Sequence, residues 1–153
     1  MINEYMEKAI KEADKFLNKN EGGPFGAVIV KDGKIIATAH NTVIKEQDAT
    51  CHAEVNAIRV ASKKLKTYDL SDCEMYSTSM PCPMCIGAIA WAKIKKVYYG
   101  TTIQDTEKIG FGDQEIYDFI CDKNILINLE PLNRDECLSV QEKWNQKKDK
   151  TNY

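Results

Sequence analysis

The chain has 153 residues and a formal net charge of −2, which predicts one domain, residues 1–153, with room for a proper core. Its longest apolar run, residues 86–92, is too short to cross a bilayer, and its charged start shows no secretory signal. Six cysteines without such a signal indicate reduced thiols and a cytoplasmic location. The small negative net charge argues against a basic surface that would bind nucleic acid.

The first elements are a helix and a hairpin. Apolar residues at helical spacing predict a helix over 5–17, ended by the glycines and proline of 20–24. Two runs rich in Val and Ile, 25–30 and 34–39, predict strands. Because Asp32-Gly33 lies between them, we expect a tight hairpin turn.

The middle of the chain predicts two helices and two parallel strands. After a polar loop, a helix is expected over 52–65, with Thr50 as candidate N-cap. A strand over 73–78 leads to a helix opening at Pro81, and a further strand covers 96–99. Strand, helix and strand with short connections form a βαβ unit.

The C-terminal third completes the predicted fold. Residues 100–112 are expected as a polar loop, followed by a helix over 114–121, a fifth strand over 125–129 and a helix over 135–148. The fold class predicted is therefore α/β, a three-layer α/β/α sandwich with a mixed five-stranded sheet. In such a sheet, the helices that carry a site begin at the same edge.

Two short segments carry the candidate chemistry: His52-Ala53-Glu54 and Pro81-Cys82-Pro83-Met84-Cys85. Cys82 and Cys85 share one face at a helix start, where the partial positive charge favours thiolates. With His52 as third ligand, the set suits zinc. Three protein ligands leave one position for water, as in catalytic zinc sites. Glu54 is then a proton carrier rather than a ligand.

Other interpretations also fit the cysteines. A lone Cys-x-x-Cys can be a redox pair, and a structural zinc would take a fourth ligand from Cys51, Cys73 or Cys121. A third alternative is a zinc-binding module without catalysis, against which an intact Glu54 counts. The joint occurrence of His-x-Glu and Pro-Cys-x-x-Cys favours the catalytic site. We expect Cys51, Cys73, Cys121 and Cys137 to be buried as small hydrophobes.

The longer sequence around these motifs resembles the cytidine deaminase-like superfamily of zinc nucleobase deaminases. The similarity covers the segments 22–30, 48–59 and 81–91. The zinc motif is shared by cytosine, adenosine and guanine deaminases, so it indicates the reaction and not the substrate. The segment Gly110-Phe-Gly-Asp113 and the aromatic Tyr153 look like bacterial guanine deaminases rather than tRNA adenosine deaminases.

The resemblance implies roles for five further residues. Asn41 would hydrogen-bond the purine, and Asp113 would accept from its N–H groups and share in proton transfer. Phe25 and Trp91 would flank the ring. The protein would be a homodimer with one zinc per subunit, in which the C-terminal segment crosses over and Tyr153 closes the neighbouring pocket. The reaction implied is the hydrolysis of guanine to xanthine and ammonia, with a small purine as the partner and neither nucleic acid nor membrane.

A carboxylate suits guanine on chemical grounds as well. Guanine presents N1–H and the C2 amino group as adjacent donors, so a selective pocket needs an acceptor there, and Asp113 would supply it. Each assignment also has a structural alternative. Phe25 and Trp91 can be core aromatics, Asn41 can end a strand, Asp113 can be the N-cap of the following helix, and Tyr153 can be a frayed end.

Other substrates would use the same zinc chemistry. The main alternative is a tRNA-specific adenosine deaminase, and cytosine deaminase is another. Four lysines within eight positions support RNA binding: Lys143, Lys147, Lys148 and Lys150. Such a run also complements the dipole at a helix end, and the net charge of −2 argues against an RNA surface.

Overall fold

A computed structural model describes residues 2–123, 130–149 and 151, apart from the side chains of Asp135, Cys137 and Glu142. Its elements, in chain order, are α1 (Glu4–Phe16), β1 (Gly26–Lys31), β2 (Lys34–His40), α2 (Val43–Glu46), α3 (Ala53–Leu65), β3 (Cys73–Ser79), α4 (Pro83–Trp91), β4 (Lys96–Thr101), α5 (Ile103–Lys108), α6 (Asp113–Ile120) and α7 (Arg134–Gln146).

The described strands form one mixed sheet in the order β2-β1-β3-β4. Strand β1 is antiparallel to β2 and β3, and β3 is parallel to β4, which confirms the predicted βαβ unit. The hairpin also forms as predicted, because Asp32 and Gly33 adopt φ values of 50° and 71° and make a primed turn. The predicted fifth strand, 125–129, lies outside the described residues.

Alternate residues of the strands face two different layers of helices. On the side of α1, the buried cluster consists of Ala9, Val28, Val30 and Tyr76. On the side of α3 and α4, the larger cluster includes Ala27, Ile29, Ala57, Met75 and Ile89. This alternation with period two gives the sheet two apolar faces, so helices cover both and produce the predicted three layers.

The start of α3 differs from the prediction. Thr50 is not its N-cap, because the Thr50 N–H and hydroxyl both donate to Asp48 Oδ1, at 2.8 and 2.7 Å. His52 takes the N-cap position and makes no side-chain capping bond. The imidazole is therefore available for contacts elsewhere in the structure.

Two predicted loops contain helices. Helix α2 lies within the polar stretch after β2, and α5 lies within the predicted loop 100–112. A reciprocal capping box between Thr102 and Asp105 begins α5, a signal that the sequence analysis overlooked. Gly112, not Asp113, is the N-cap of α6, so the capping alternative for Asp113 is wrong.

The cysteines outside the zinc motif divide into two kinds. Cys51 and Cys73 are buried, as predicted. Cys121 is exposed at the end of α6, so the prediction that it is a buried hydrophobe is wrong. The side chain of Cys137 is outside the description. Across the described residues, no helix is long and apolar enough to cross a membrane.

Candidate active site

The starts of α3 and α4 meet at one edge of the sheet and bring the three candidate metal ligands together. His52 Nδ1 lies 3.5 Å from Cys82 Sγ and 3.5 Å from Cys85 Sγ. All three ligand atoms lie within 4.8 Å of one another, and both cysteines are buried. Pro83 fits the first turn of α4 because its missing N–H has no partner in a helix there.

The two thiols differ in acidity. The interaction with the Cys85 thiol, together with the contact to His52, lowers the pKa of Cys82 to about 4. The same interaction and burial raise the pKa of Cys85. A buried thiolate, a second thiol and an imidazole that converge on one point are the donor set of a zinc ion, so these residues fit that metal.

The structure provides no fourth protein ligand among the described residues. His52, Cys82 and Cys85 form the one group there with metal-binding geometry. Cys51 Sγ instead accepts from Arg59 Nη1 at 3.3 Å, and Cys73 Sγ donates to Asp72 Oδ1 at 3.4 Å. The structural-zinc alternative therefore loses its cysteine candidates, and the geometry of an open site remains.

Glu54 lies beside the metal group at the start of α3. Its side chain is buried, and Ser77 of β3 donates a 3.0 Å hydrogen bond to its Oε1. Its Oε2 lies 3.5 Å from Cys85 Sγ. Burial raises the pKa of Glu54, which suits a carboxyl group that takes up and releases a proton. Sequence reasoning missed Ser77, although a serine at a buried-face position of a strand was a usable signal.

A cavity of about 400 Å³ opens over this group. Its lining includes two of the metal ligands, His52 and Cys82, and four further predicted site residues: Phe25, Asn41, Glu54 and Asp113. The structure therefore brings together residues from five separate parts of the chain. That volume is in the range of small-molecule sites.

Asn41 presents an amide donor to the cavity. It is buried, and its Oδ1 accepts from the Val43 N–H at 3.1 Å. Since a backbone N–H can only donate, the Nδ2 group must occupy the other side of the carboxamide. Nδ2 makes no hydrogen bond to any residue in the described part of the chain and is not sealed from solvent. It can therefore donate to a ligand.

Phe111 forms an aromatic wall that sequence reasoning did not assign. Its ring lies edge-on to Phe25, with centroids 4.9 Å apart and an interplanar angle of 77°. Gly23 makes room for both rings, since a Cβ there would lie 2.8 Å from Phe25 and 2.9 Å from Phe111. The signal available was the aromatic residue between two glycines in the 110–113 segment.

Asp113 is partly buried in the cavity wall at the start of α6. Burial raises its pKa, and the negative charge of Cys82 adds to this effect. Tyr117, on the next turn, donates a 2.7 Å hydrogen bond to the Pro81 carbonyl. This bond joins α6 to the metal-binding segment and fixes the distance between Asp113 and the metal group.

Of the predicted site residues that the structure describes, Trp91 does not join the cavity. Trp91, at the end of α4, is 68% exposed and does not line the cavity. The alternative of a core aromatic is wrong for Trp91 for the same reason. Tyr153 lies outside the described residues.

The fold and site are those of a zinc-dependent deaminase. Residues 1–101 match the family model described as the cytidine and deoxycytidylate deaminase zinc-binding region, and the chain belongs to this family. Guanine deaminase of Bacillus subtilis (strain 168) is 50% identical over 113 residues, which cover 74% of this chain and 72% of that protein.

Two further comparisons bear on the substrate. The X-ray structure of guanine deaminase from Bacillus subtilis matches with a TM-score of 0.92 and 43% identity over 99% of both chains. A tRNA-specific adenosine deaminase of Buchnera aphidicola subsp. Schizaphis graminum is 35% identical over 144 residues, 89% of this chain and 88% of that protein. The chain is therefore similar to deaminases of both kinds, and more similar in sequence to the guanine enzyme.

Proposed function

We propose that this protein is a guanine deaminase, which hydrolyses guanine to xanthine and ammonia in purine catabolism or salvage. The observation that carries the proposal is the placement of the Asp113 carboxylate and the Asn41 amide in one cavity with the metal group. The end-to-end similarity to a guanine deaminase structure supports it.

The polar groups of the cavity suit guanine. The Asp113 carboxylate would accept from the N1–H and C2 amino donors, while the Asn41 Nδ2 group would donate to an acceptor of the ring. Adenine presents an acceptor at N1, which would leave the carboxylate without a hydrogen-bond donor at a cost of about 1–3 kcal/mol. The Phe25 and Phe111 rings would hold the flat base by contact with its π-face.

Proton transfer would fall to Glu54. His52, Cys82 and Cys85 would hold one zinc ion per chain, which when bound supplies a Lewis acid that makes a water molecule acidic near neutral pH. Ser77 donates to Oε1, and Oε2 faces the metal group 3.5 Å from Cys85 Sγ, so we assign the carried proton to Oε2. Glu54 takes this proton from the attacking water and delivers it to N3 of guanine as the water oxygen bonds to C2.

Glu54 then takes the second proton of that oxygen, which is now the hydroxyl on C2, and delivers it to the amine at C2. The C2–N bond breaks as C2=O forms, and ammonia leaves. Asp113 keeps the ring in place through these steps, and its raised pKa also suits a share in proton transfer. Xanthine carries an oxygen where guanine had the amino group, so one donor to Asp113 is lost on reaction. This weaker fit favours product release.

The proposal includes a cytoplasmic homodimer in which Tyr153 closes the neighbouring pocket. Support comes from apolar side chains exposed around the cavity and α4, namely Ile44, Ile86, Trp91, Ile109 and Phe111. Because Trp91 lies outside the cavity of its own chain, it would flank a purine only in the cavity of the neighbouring subunit. Cys51 and Cys73 are buried thiols that form no disulfide, as expected for a protein in a reducing compartment.

A tRNA-specific adenosine deaminase is the second candidate, because the Buchnera enzyme matches 89% of this chain. The lysines near the C-terminus would serve RNA. Lys147 already has partners within the chain, since its Nζ lies 3.7 Å from Asp149 Oδ1 and 5.3 Å from the Trp144 ring centroid. Because Lys147 already makes these contacts, it gives less support to the tRNA alternative.

Ammonia release by the zinc-loaded protein tests the proposal. Guanine, guanosine, adenine, cytosine and a tRNA anticodon stem-loop are compared in parallel, with Glu54→Gln as the inactive control. We expect turnover of free guanine and formation of xanthine, seen by its ultraviolet spectrum. Activity confined to the stem-loop, and lost with added salt, would support the tRNA alternative and refute the proposed substrate.

A further inference from the structure

His40, one of the two histidines of the chain, lies at the end of β2, directly before Asn41 of the cavity. Its Nδ1 lies 3.1 Å from Glu12 Oε1, and its Nε2 lies 2.7 Å from Glu21 Oε2. The ring stacks on Phe16 with centroids 3.6 Å apart. The side chains of His40, Glu12 and Glu21 are only 14–17% exposed. The deamination chemistry assigns no role to this cluster.

The His40 ring has a carboxylate oxygen within hydrogen-bond distance of each nitrogen. Because the ring is rigid and planar, these two contacts fix the positions of Glu12 and Glu21 on either side of it. The bond to His40 also holds the pKa of Glu21 below its ordinary value. Lys45, with its Nζ 3.6 Å from Glu21 Oε2, adds a weaker contact.

The cluster joins three segments that are separate in sequence. Glu12 belongs to α1, Glu21 to the segment before β1, and His40 to the end of β2. The main chain extends these connections, because the Glu21 carbonyl accepts from the N–H groups of Ile44 and Lys45 at 3.0 and 2.9 Å. The His40 side chain therefore holds the segment around Glu21 at a defined distance from the sheet.

The next residue along each segment belongs to the cavity. Gly22 follows Glu21, Asn41 follows His40, and both line the cavity. The two are packed so closely that a Cβ on Gly22 would lie 2.1 Å from Asn41 Oδ1 and 2.5 Å from the Asn41 carbonyl oxygen. Any shift of Glu21 relative to His40 must therefore change the contact between Gly22 and the Asn41 carboxamide.

We propose that His40 is a positioning residue for the purine, which holds Glu12 and Glu21 and so fixes the Gly22 backbone against the Asn41 carboxamide. The direction of the Asn41 Nδ2 donor is then set before the ligand arrives. This inference rests on the proposed function, because it gives His40 a share in guanine recognition. His40 touches no ligand itself and acts through Asn41.

A double-mutant cycle tests whether His40 acts through Asn41. His40→Gln keeps an amide NH2, but both of its N–H bonds leave one nitrogen, so it cannot contact two carboxylates from two separate nitrogens as the ring does. We expect about a tenfold fall in kcat/KM for guanine, mainly through KM. In an Asn41→Ala background, the same change should cost less than about twofold, because the group it positions is absent. Equal losses in both backgrounds would overturn the proposal.

The matched control is Lys31→Met. It removes the Lys31–Asp72 ion pair, whose 2.6 Å contact lies at the far end of β1 from the cavity. We expect unchanged kcat/KM for this variant. If His40→Gln fails to fold, Glu21→Leu replaces it, since the leucine side chain cannot accept from His40 Nε2. Guanine kinetics of Glu21→Leu indistinguishable from those of Lys31→Met would also overturn the proposal.

Hydrogen exchange gives a readout that does not depend on turnover. The Val43 amide is protected by Asn41 Oδ1, so exchange over residues 41–46 should rise in His40→Gln and stay unchanged in Lys31→Met. Unchanged exchange in His40→Gln would refute the positioning role even in an active enzyme. Lack of guanine turnover by the unmodified protein would refute the proposed function. Faster exchange in His40→Gln would in that case still support the positioning of Gly22 and Asn41 by His40.

Discussion

The Ser77 hydroxyl donates a 3.0 Å hydrogen bond to Glu54 Oε1 inside the protein. Ser77 is 1% exposed and Glu54 6% exposed, so water does not replace this bond easily. Burial raises the pKa of Glu54, and the Ser77 bond opposes that effect. The pair therefore orients the carboxyl group and also limits how strongly it holds its proton.

Ser77→Ala should lower kcat for guanine by about tenfold, because a buried carboxylate loses a hydrogen bond worth about 1.5–3 kcal/mol. The bond favours the ionised form of Glu54, so its loss raises the pKa further. The acidic limb of the kcat profile should then move to higher pH. Ser62→Ala, on α3 but away from the cavity, is the control. Coincident profiles for the two variants would rule out the role given to Ser77.

Removal of the metal should remove activity and stability together. Cys82→Ser deletes the more acidic thiol, and we expect loss of zinc, loss of turnover and a fall of several degrees in Tm. Cys121→Ser changes an exposed thiol and should retain zinc and activity.

Glu54→Ala should lose turnover but keep its zinc. Stoichiometric loss of zinc from Glu54→Ala would instead identify Glu54 as a ligand.

The zinc motif could be predicted from sequence because its chemistry fixes its spacing. Cys82 and Cys85 must share one helical face, and His52 must precede a buried helix that starts at the same sheet edge. The Asp32-Gly33 hairpin was equally direct, since its primed turn requires positive φ at both residues. These features depend on local geometry, which short stretches of sequence determine.

The rest of the site depends on tertiary contacts, for which the sequence carries only weak local signals. Ser77 is marked by its buried-face position in a strand, but its role comes from the contact with Glu54, 23 positions away. Phe111 joins Phe25 across 86 positions (111 minus 25) through a glycine-flanked turn without periodicity. Trp91 illustrates the opposite error, because its apolar neighbours suggested core packing as an alternative to the substrate contact that the resemblance implies, and the side chain is exposed rather than in the core.

Asp113→Asn should raise KM for guanine by about tenfold or more, since an amide cannot accept from two adjacent donors as a carboxylate does. The raised pKa of Asp113 also predicts a pH effect. Because its pKa is raised, the carboxylate is protonated at a higher pH than an ordinary aspartate on acidification from neutral pH, so KM of the unmodified enzyme should increase over that range. KM of Asp113→Asn should stay constant there. Asp122→Asn, an exposed change beyond α6, is the control, and a parallel rise in Asp113→Asn would contradict the assignment.

Phe111→Leu should weaken guanine binding while leaving the metal group intact. The change removes the aromatic face and the edge-on contact with Phe25, worth about 0.5–1.5 kcal/mol beyond the area buried. We expect KM to rise by about three- to tenfold with little change in kcat, because Phe111 touches neither Glu54 nor the ligand cysteines. Phe119→Leu on α6 is a control outside the cavity, and equal effects of the two would show that Phe111 acts only through the packing of its segment.

Deletion of Asn152 and Tyr153 tests the proposed contact between subunits. If Tyr153 closes the neighbouring pocket, the shortened protein should turn over guanine poorly while keeping its zinc. A mixture with Glu54→Ala subunits should then recover activity, because a hybrid dimer holds one pocket with an intact Glu54 and an intact Tyr153 from its neighbour. Random exchange of subunits at equal amounts makes about half of the dimers hybrids. An unchanged rate after the deletion, or a mixture no more active than its parts, would show that the tail does not complete the neighbouring site.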